Sequence, residues 1–425
     1  MAKNQIISAI DIGTTKVTTL IASLSEESDK VNVIGVADEP AKGLRKSQIV
    51  DIDETIGSIT QSVEAAERMA GYSISSALAS ISGVHIESIN SKGVVAIAEP
   101  EGEISNHDVT RVIEAARAVS LPSAREILHV IPRDFRVDSQ EGVKDPVGMS
   151  GIRLEAEAHI ITGSSTAMRN ISKCVSEIGV EIDSLVFSGL ASAESVLTPT
   201  EKELGVVLID LGGGSTSIAV FVEGALSYSA VLPVGAKNIT NDLAIGLRVS
   251  LETAEKIKLG LSKLSQKPDD DDDDDDELDP KKLGLSEEVS KLSKKTLTEG
   301  IIRPRLNEIF AMVGEKLKES GFGGTTPAGV VMAGGGGLTV GIETSCKRSL
   351  SLPVRIGYPR GLSGLVDEIK SPAFAASWGL IKYGLKNYKG VKADSSFKAV
   401  GRVIGKIPVK GMISKTVKLV KSFLP

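Results

Sequence analysis

The chain has 425 residues, enough for two to four structural units, and 41% of them are apolar. Its two cysteines, Cys174 and Cys346, lie far apart, which excludes a disulfide framework and a cysteine zinc site. Both thiols are predicted to be buried and inert. No apolar run is long enough to span a membrane as a helix.

The net charge of −6 is unevenly distributed along the chain. Residues 371–425 contain eleven Lys or Arg residues and one acid, Asp394, whereas a run of nine acids covers Asp269–Glu277. A basic end on an acidic body indicates an anionic partner for that end.

Two stretches share the pattern of an apolar strand, an Asp, an apolar residue, a Gly and two small residues. Asp11 and Asp210 hold the same place in this pattern, 199 positions apart, which suggests two copies of one α/β unit. Both stretches continue as strands, so each is predicted to be a hairpin, whereas a Rossmann or Walker loop runs into a helix. The tips are Gly13, Thr14, Thr15 and Lys16 in the first copy and Gly212, Gly213, Gly214, Ser215 and Thr216 in the second.

Hairpin tips of this kind suit phosphate. Their backbone amides and hydroxyls can donate to phosphate oxygens, and small residues let the ligand approach closely. Asp11 and Asp210, at the strand ends, could hold Mg²⁺ through water, and Lys16 could add a positive charge. Glycine-rich turns after strands are common, so neither hairpin alone indicates a phosphate site. Two near-copies followed by a third glycine run, Gly334–Gly337, favour one.

The remaining elements are predicted from hydrophobic periodicity. Residues 84–161 follow a different pattern from the sequence around them. They predict a hairpin at Val84–Ile97, a helix near Val109–Val119 and further strands, and form a candidate inserted subdomain. All four histidines fall in this region and are interpreted as polar surface positions. Other helices are expected at Ile56–Ala70, Met168–Ile178, Leu251–Leu264, Glu299–Ser320 and Ala373–Leu385.

Three further segments carry their own predictions. Glu255 and Lys258 are spaced i,i+3 on one helix face, where they could reach a ribose and base edge, although alone they would be an ordinary surface ion pair. The aspartate run, bracketed by Pro268 and Pro280, is interpreted as a solvated loop and not a Ca²⁺ site. From Val391 the sequence is typical of a linker.

The segment from Val409 to Leu424 is predicted to be an amphipathic helix. At 100° per residue its apolar and basic residues separate onto opposite faces, which is typical of a helix lying in a membrane interface. Docking on the protein's own core is the alternative, but the linker, the basic polar face and the terminal position favour the membrane. The predicted contact residues are Met412, Ile413, Val417, Leu419, Val420, Phe423 and Leu424 on the apolar face and Lys415, Lys418 and Lys421 on the basic one.

These residues in this order resemble the actin-like ATPase superfamily and, within it, the FtsA family of bacterial cell-division proteins. The most specific stretch is His129–Asp138 through Asp145–Leu154, which is similar to the 1C subdomain of that family. Ala254–Lys258 and the chain end through Ser371–Phe374 are also similar. The resemblance covers essentially the whole chain.

The resemblance implies an α/β, actin-like two-lobe ATPase fold with an inserted 1C (SHS2-type) subdomain and a C-terminal amphipathic helix. It divides each lobe into parts that are discontinuous in sequence. The implied parts are subdomain 1A at 1–83, 162–199 and 371–390, subdomain 1C at 84–161, subdomain 2A at 200–240 and 326–370, subdomain 2B at 241–325 with the acidic loop 268–280, a linker at 391–408 and the membrane helix at 409–425.

The resemblance also implies ligands and partners. ATP with Mg²⁺ would lie between the lobes, with Asp11 and Asp210 on the metal water and Gly334, Gly335, Gly336 and Gly337 against the adenosine. The chain would self-assemble, tether FtsZ filaments to an anionic membrane surface and meet other division proteins, but not nucleic acid. It would act peripherally, on the cytoplasmic side of the membrane at the division site. The helix containing Arg303 and Arg305 resembles the one where the FtsZ tail docks.

Hydrolysis is expected to be weak. Efficient enzymes of this superfamily place a Glu or Gln where it orients the attacking water, and Ser188 occupies that place here. ATP would then act mainly as a conformational and polymerisation switch.

Two other interpretations remain open. A PilM-like pilus-assembly protein shares the fold, but it lacks a basic terminal membrane helix. A sugar kinase or a chaperone-type ATPase is of another class. The kinase would need a base for a substrate hydroxyl. The chaperone would need a substrate-binding domain, for which the last 25 residues leave no room.

Overall fold

The computed structural model describes residues 5–24, 31–98, 102–265, 276–285, 292–365 and 367–393. The chain divides into two compact units, Met1–Gly384 and Leu385–Pro425. The first contains the sheets, and the described part of the second ends at Ala393. The linker predicted at 391–408 is wrong in its first three residues, which belong to the last helix, Ala375–Ala393. The rest of that linker, the amphipathic helix and most of the aspartate run lie outside the described residues.

Strands and helices are numbered in chain order. The strands are β1 Gln5–Ile12, β2 Lys16–Leu24, β3 Val31–Pro40, β4 Leu44–Arg45, β5 Gln48–Ile49, β6 Ser76–Ile81, β7 Glu87–Ala96, β8 Arg125–Val137, β9 Gln140–Val143, β10 Arg153–Ser164, β11 Glu181–Phe187, β12 Val206–Leu211, β13 Thr216–Val222, β14 Ala225–Leu232, β15 Glu277–Leu278, β16 Leu292–Ser293, β17 Val330–Ala333, β18 Val354–Ile356 and β19 Ser363–Gly364. The helices are α1 Ile52–Ala70, α2 Asn106–Arg117, α3 Ser165–Ser176, α4 Ser188–Val196, α5 Pro199–Leu204, α6 Ala236–Leu247, α7 Leu251–Leu264, α8 Lys294–Leu297, α9 Arg303–Ser320, α10 Ile342–Leu350 and α11 Ala375–Ala393.

Two sheets with matching topology form the two lobes. The first has the order β11-β6-β1-β2-β3-β19, and the second has the order β14-β13-β12-β17-β18. In each, three antiparallel strands follow one another along the chain (β1, β2 and β3; β12, β13 and β14), and a later strand adds in parallel to the first of them. The predicted duplication of one α/β unit is therefore confirmed.

Apolar burial and helix caps explain why the elements form where they do. Every residue of β12 is buried, as expected for a central strand covered on both faces. Helix α1 begins at Asp51, whose side chain accepts from Glu54 N, and helix α5 begins with a capping box between Thr198 and Glu201. These caps satisfy amides that the first helical turn leaves unpaired.

The region between β6 and α3 forms a separate four-stranded sheet, in the order β7-β10-β8-β9, with helix α2 over one face. It has its own core, built around Ile104, Val112 and Leu154. The hairpin predicted at Val84–Ile97 is wrong, because the residues form the single strand β7. That strand pairs with the distant strand β10 and not with a local partner.

The predicted helices are present, and the prediction for Leu251–Leu264 matches both ends of α7. The helix predicted at Glu299–Ser320 differs in its first part, where Thr298–Ile302 forms a wider π-turn before α9. Pro304 explains the difference, since it cannot donate a backbone hydrogen bond and its ring crowds the carbonyl four residues earlier. None of the helices in the described ranges is long and apolar enough to cross a membrane.

Helix α11 crosses α4 at a glycine, which generates a prediction about stability. A Cβ atom built on Gly379 would lie 1.7 Å from Ala191 O, so Gly379→Ala should separate the two helices and destabilise the protein by about 2 kcal/mol or more. Gly57 lies in α1 with open space around its Cβ position, and Gly57→Ala should stabilise by about 0.5–1 kcal/mol. Chemical denaturation of both variants tests the packing, and equal effects would contradict it.

Candidate functional site

Both predicted hairpins are present and close in the same way. Gly13 N donates to Lys16 O at 3.0 Å, and Gly212 N donates to Ser215 O at 2.9 Å. Each turn therefore spans four residues at the same distance after its Asp. Lys16 in the first tip holds the place that Ser215 holds in the second.

The two tips face and contact each other. A Cβ atom built on Gly213 would lie 2.3 Å from Thr15 Cγ2, and one built on Gly214 would lie 2.7 Å from Thr14 Cγ2. Only glycine permits this approach. The tips of two different sheets thereby bring their amides and hydroxyls to one place.

Asp11 and Asp210 lie at the ends of β1 and β12, and each accepts a hydrogen bond from a serine. Ser80 Oγ donates to Asp11 Oδ1 at 2.7 Å, and Ser192 Oγ donates to Asp210 Oδ2 at 2.5 Å. Burial raises the pKa of Asp210 to about 6 despite the Ser192 bond, and the charge of Asp11 adds to the rise. Burial also raises the pKa of Asp11. Among the residues that the structure describes, neither Asp210, which is buried, nor Asp11, which is half-buried, has a basic side chain at bonding distance, and such a pair of carboxylates suits a divalent cation.

The third glycine run follows strand β17, as predicted, and forms a tight 3-10 turn at Gly335–Leu338. Glu255 and Lys258 lie on one face of α7, with Lys258 Nζ 2.8 Å from Glu255 Oε2. Lys258 also donates to Thr240 Oγ1 at 2.9 Å and is 6% exposed. This pair is therefore anchored in the fold and is not a free surface ion pair.

A cavity of about 870 Å³ brings most of the predicted site residues together. Thr216, Gly214 and Gly337 are not on its wall. Thr216 Oγ1 instead donates to Val234 O at 2.7 Å, which occupies its hydroxyl hydrogen within lobe 2. The predicted residues that line the cavity are Asp11, Gly13, Thr14, Thr15, Lys16, Asp210, Gly212, Gly213, Ser215, Glu255, Lys258, Gly334, Gly335 and Gly336.

Three cavity residues, Asp38, Phe374 and Ser47, were not predicted as site residues. Asp38 and Phe374 hold the Lys16 ammonium group in place, with Lys16 Nζ 3.1 Å from Asp38 Oδ1 and 3.5 Å from the ring centre of Phe374. Ser47 joins the two tips through hydrogen bonds. Asp38 and Ser47 lie in segments without a recognisable motif, and Phe374 lies in the Ser371–Phe374 stretch that resembles the family; only the folded chain brings the three together.

Comparison with known proteins identifies the family. Residues 83–162 match the family model described as "SHS2 domain inserted in FTSA", and residues 207–379 match "Cell division protein FtsA". Cell division protein FtsA of Pseudomonas aeruginosa is 39% identical over 386 residues, covering 90% of each chain. The chain belongs to the FtsA family of cell-division proteins. Cell division protein FtsA of Bacillus subtilis is 36% identical over 413 residues, covering 96% of this chain and 90% of its own, and that of Escherichia coli K12 is 34% identical over 401 residues, covering 92% and 93%.

Solved structures confirm the actin-like two-lobe fold. A chain of the PilM-PilN type IV pilus biogenesis complex superposes with a TM-score of 0.60 at 15% identity, covering 89% of this chain and 98% of its own. MreB5 of Spiroplasma citri bound to ADP gives 0.53 at 13% identity, covering 92% and 99%. Likeness at this level of identity shows the fold alone.

Ser188 lies on the wall of the cavity, at the start of helix α4. Its Oγ is 3.1 Å from Ser217 Oγ, which in turn lies 3.1 Å from Ser82 Oγ. A serine hydroxyl within a chain of hydroxyls is a poor proton acceptor. At position 188 this FtsA-family chain therefore has a hydroxyl that is hydrogen-bonded to a neighbouring serine, and not a Glu or Gln side chain.

The arginines predicted to contact a partner are engaged in ion pairs. Arg305 Nε lies 2.6 Å from Asp242 Oδ2, and Arg305 also pairs with Glu308, while Arg303 pairs with Glu299. Both guanidinium groups are about a quarter exposed. The predicted membrane-contact residues 412–424 lie outside the described part of the chain.

The prediction for the histidines is wrong at two positions. His129 and His159 are buried, because strands β8 and β10 of the inserted sheet pack against β11 and β14. His159 lies 2.7 Å from Asn90 Oδ1 and 3.0 Å from Ser229 Oγ. Burial lowers the pKa of His129 to about 4 and that of His159 to about 3, so both are neutral at pH 7. Both cysteines are buried, as predicted.

The raised pKa of Asp210 predicts a pH-dependent gain in stability for Asp210→Asn. Between pH 4 and 6 the Asp210 carboxyl keeps its proton in the folded state but loses it in the unfolded chain, so stability falls as the pH rises through this range. Above pH 6 the ionised, buried Asp210 carboxylate destabilises the fold in full. In buffer without Mg²⁺ or nucleotide, the variant should melt about 2–5 °C higher than wild type at pH 7.5, with a difference near zero at pH 4.5.

Thermal melts at the two pH values measure this difference. Glu177→Gln, at an exposed position after α3, is the control that should show no such pH dependence. A variant that is less stable than wild type at both pH values would contradict the prediction.

Proposed function

We propose that this FtsA-family chain binds ATP with Mg²⁺ between its two lobes. The observation that carries the proposal is the contact of two glycine-rich tips beside two carboxylates, Asp11 and Asp210, that line one cavity. Thr14, Thr15 and Ser215 offer hydroxyls and the tip amides offer N–H donors to phosphate oxygens. A related fold, MreB5 of Spiroplasma citri, has been solved with ADP and with AMPPNP, which supports a nucleotide in this cleft.

The donor set fits Mg²⁺ held through water. Asp11 and Asp210 provide carboxylate oxygens, each with a serine on one oxygen and the other oxygen available to a metal-bound water. When bound, Mg²⁺ would neutralise charge on the phosphates. Lys16, fixed by Asp38 and Phe374, would add a positive charge on the same side.

Turnover is proposed to be slow, because Ser188 cannot orient water as a carboxylate or amide side chain does. Nucleotide then works mainly as a switch, through its different contacts with two lobes.

Nucleotide titration and phosphate release test both statements. ATP with Mg²⁺ should bind with a Kd of about 1 μM or tighter, and Asp11→Asn should weaken binding at least tenfold, since a metal–water ligand is lost. Glu177→Gln should bind like wild type. Steady-state release should stay well below about 1 s⁻¹, and a rate in the usual enzymatic range would contradict the assignment of Ser188.

We further propose that the chain self-assembles and tethers FtsZ filaments to the cytoplasmic face of the membrane at the division site. The family supports the division role, and the separation of apolar and basic residues over 409–425 supports the membrane contact. Filament formation would strengthen attachment by multivalency, since one Lys- and Val-rich helix binds weakly by itself. Arg303 and Arg305, partly exposed on α9, would face an acidic FtsZ tail.

Vesicle sedimentation tests the attachment. Full-length protein should pellet with phosphatidylglycerol vesicles and recruit purified FtsZ, whereas a chain that ends at residue 404 should do neither. Phe423→Glu should abolish pelleting because it places charge on the apolar face, and Ser422→Glu, with the same charge on the polar face, should weaken it only modestly.

Two outcomes would overturn different parts of the proposal. Full-length protein that stays in the supernatant at low salt would contradict membrane attachment. Protein that pellets without recruiting FtsZ would contradict the adaptor role alone.

A further inference from the structure

A short hairpin between β3 and α1 lies against the two tips. Residues 43–50, here named the latch hairpin, contain β4 and β5 joined by a two-residue turn at Lys46 and Ser47. Both turn residues have left-handed backbones, with φ of 50° and 58°, at positions where Asn and Gly are usual. Local strain of this kind persists where the surrounding contacts hold it in place.

The base of the latch hairpin is fixed to helix α1. Val50 N and Asp51 N both donate to Gly43 O, at 2.8 and 3.1 Å, and Asp51 is the N-cap of α1. Just before the hairpin, Lys42 N donates to Ser58 Oγ at 2.9 Å. The turn is therefore positioned by a rigid element and not by its own short strands.

Ser47 links the tips of both lobes. Its N–H donates to Thr14 Oγ1 at 2.8 Å, and its Oγ lies 2.7 Å from Ser215 Oγ. Thr14 and Ser215 are each 6% exposed, so this link is inside the cleft, and Ser47 lines the same cavity. The hydroxyls it contacts are those that the tips would offer to phosphate.

The charge of the latch hairpin matches an anion. Arg45 and Lys46 are exposed on it, Lys42 directly precedes it, and residues 43–50 contain no acid. Within the described part of the chain, none of these three cations has an acidic partner. These three residues are not on the cavity wall; they give the exposed side of the latch hairpin a positive potential, while Ser47 of the same hairpin lines the cavity.

We propose that the latch hairpin is a third phosphate-binding element and that the Ser47 hydroxyl binds the terminal phosphate of ATP. The hydrogen bonds of Ser47 go to the tips, not to Glu255 or Lys258, which puts it at the phosphate end of the cleft. A charged phosphate oxygen is a stronger acceptor than the Ser215 hydroxyl, so Ser47 would exchange one for the other. ADP lacks that oxygen. Ser47 therefore discriminates ATP from ADP, an inference that rests on the proposed nucleotide binding.

Calorimetric titration of the full-length protein with Mg²⁺ and either AMPPNP or ADP tests the inference. Ser47→Ala and Ser47→Gly should each weaken AMPPNP about tenfold, the loss of one hydrogen bond to a charged group, and change ADP by less than about twofold. Glycine adopts the left-handed backbone without strain, so the second variant separates the hydroxyl from backbone effects. Ser176→Ala, at an exposed end of α3, is the matched control and should change neither affinity.

The outcomes separate this inference from the proposal beneath it. Wild type that binds neither nucleotide would overturn nucleotide binding and the latch together. Wild type that binds both, with Ser47 variants that weaken both equally or neither, would overturn the phosphate-sensing role alone.

Discussion

The contact between the two hairpin tips sets the spacing of the lobes. Gly213 and Gly214 lie against Thr15 and Thr14 so closely that no other residue type would fit. Each tip joins two neighbouring strands within its sheet, β1 and β2 in one and β12 and β13 in the other. A ligand that changed the distance between the tips would therefore move whole sheets and not loops. Packed sheets respond as bodies because their interiors do not deform continuously.

Small hydroxyl groups surround this contact. Ser80 donates to the Asp11 carboxylate and Ser192 to that of Asp210, and Ser82, Ser188 and Ser217 form a chain of hydroxyls beside them. Such bonds contribute only about 0.5–1.5 kcal/mol each, and a hydroxyl can rotate to a new partner without backbone movement. The buried carboxylates, by contrast, destabilise the cleft when ionised. The cleft thus combines serine hydroxyls that can change hydrogen-bond partners with two carboxylates whose negative charge a bound cation would neutralise.

The sequence predicted those parts of the site that carry a local pattern. Asp11 and Asp210 head a repeated motif, and the strands around them alternate with turns, so the hairpins and the duplicated topology followed from short-range signals. Ser47 gave no such signal, because its partners lie 33 or more residues away and are found only in the folded chain. Phe374 lies in a stretch that resembles the family, but its contact with Lys16 is likewise found only in the folded chain. The same reason explains the two histidines. His159 has a polar side chain in an alternating strand, and only the packing of β10 against β14 makes it buried.

The inserted subdomain joins lobe 2 through a polar seam, although each side has its own apolar core. Ser88, Asn90 and Arg133 donate to Ser229 or Ser227 at 2.8–3.2 Å, and neutral His159 lies beside Ser229. Because His159 carries no charge at pH 7, the seam needs no buried counterion at that position. Hydrogen bonds fix one relative orientation by direction, and their small net free energies let water replace them. The inserted subdomain and lobe 2 therefore meet through directional polar bonds while each keeps an apolar core of its own.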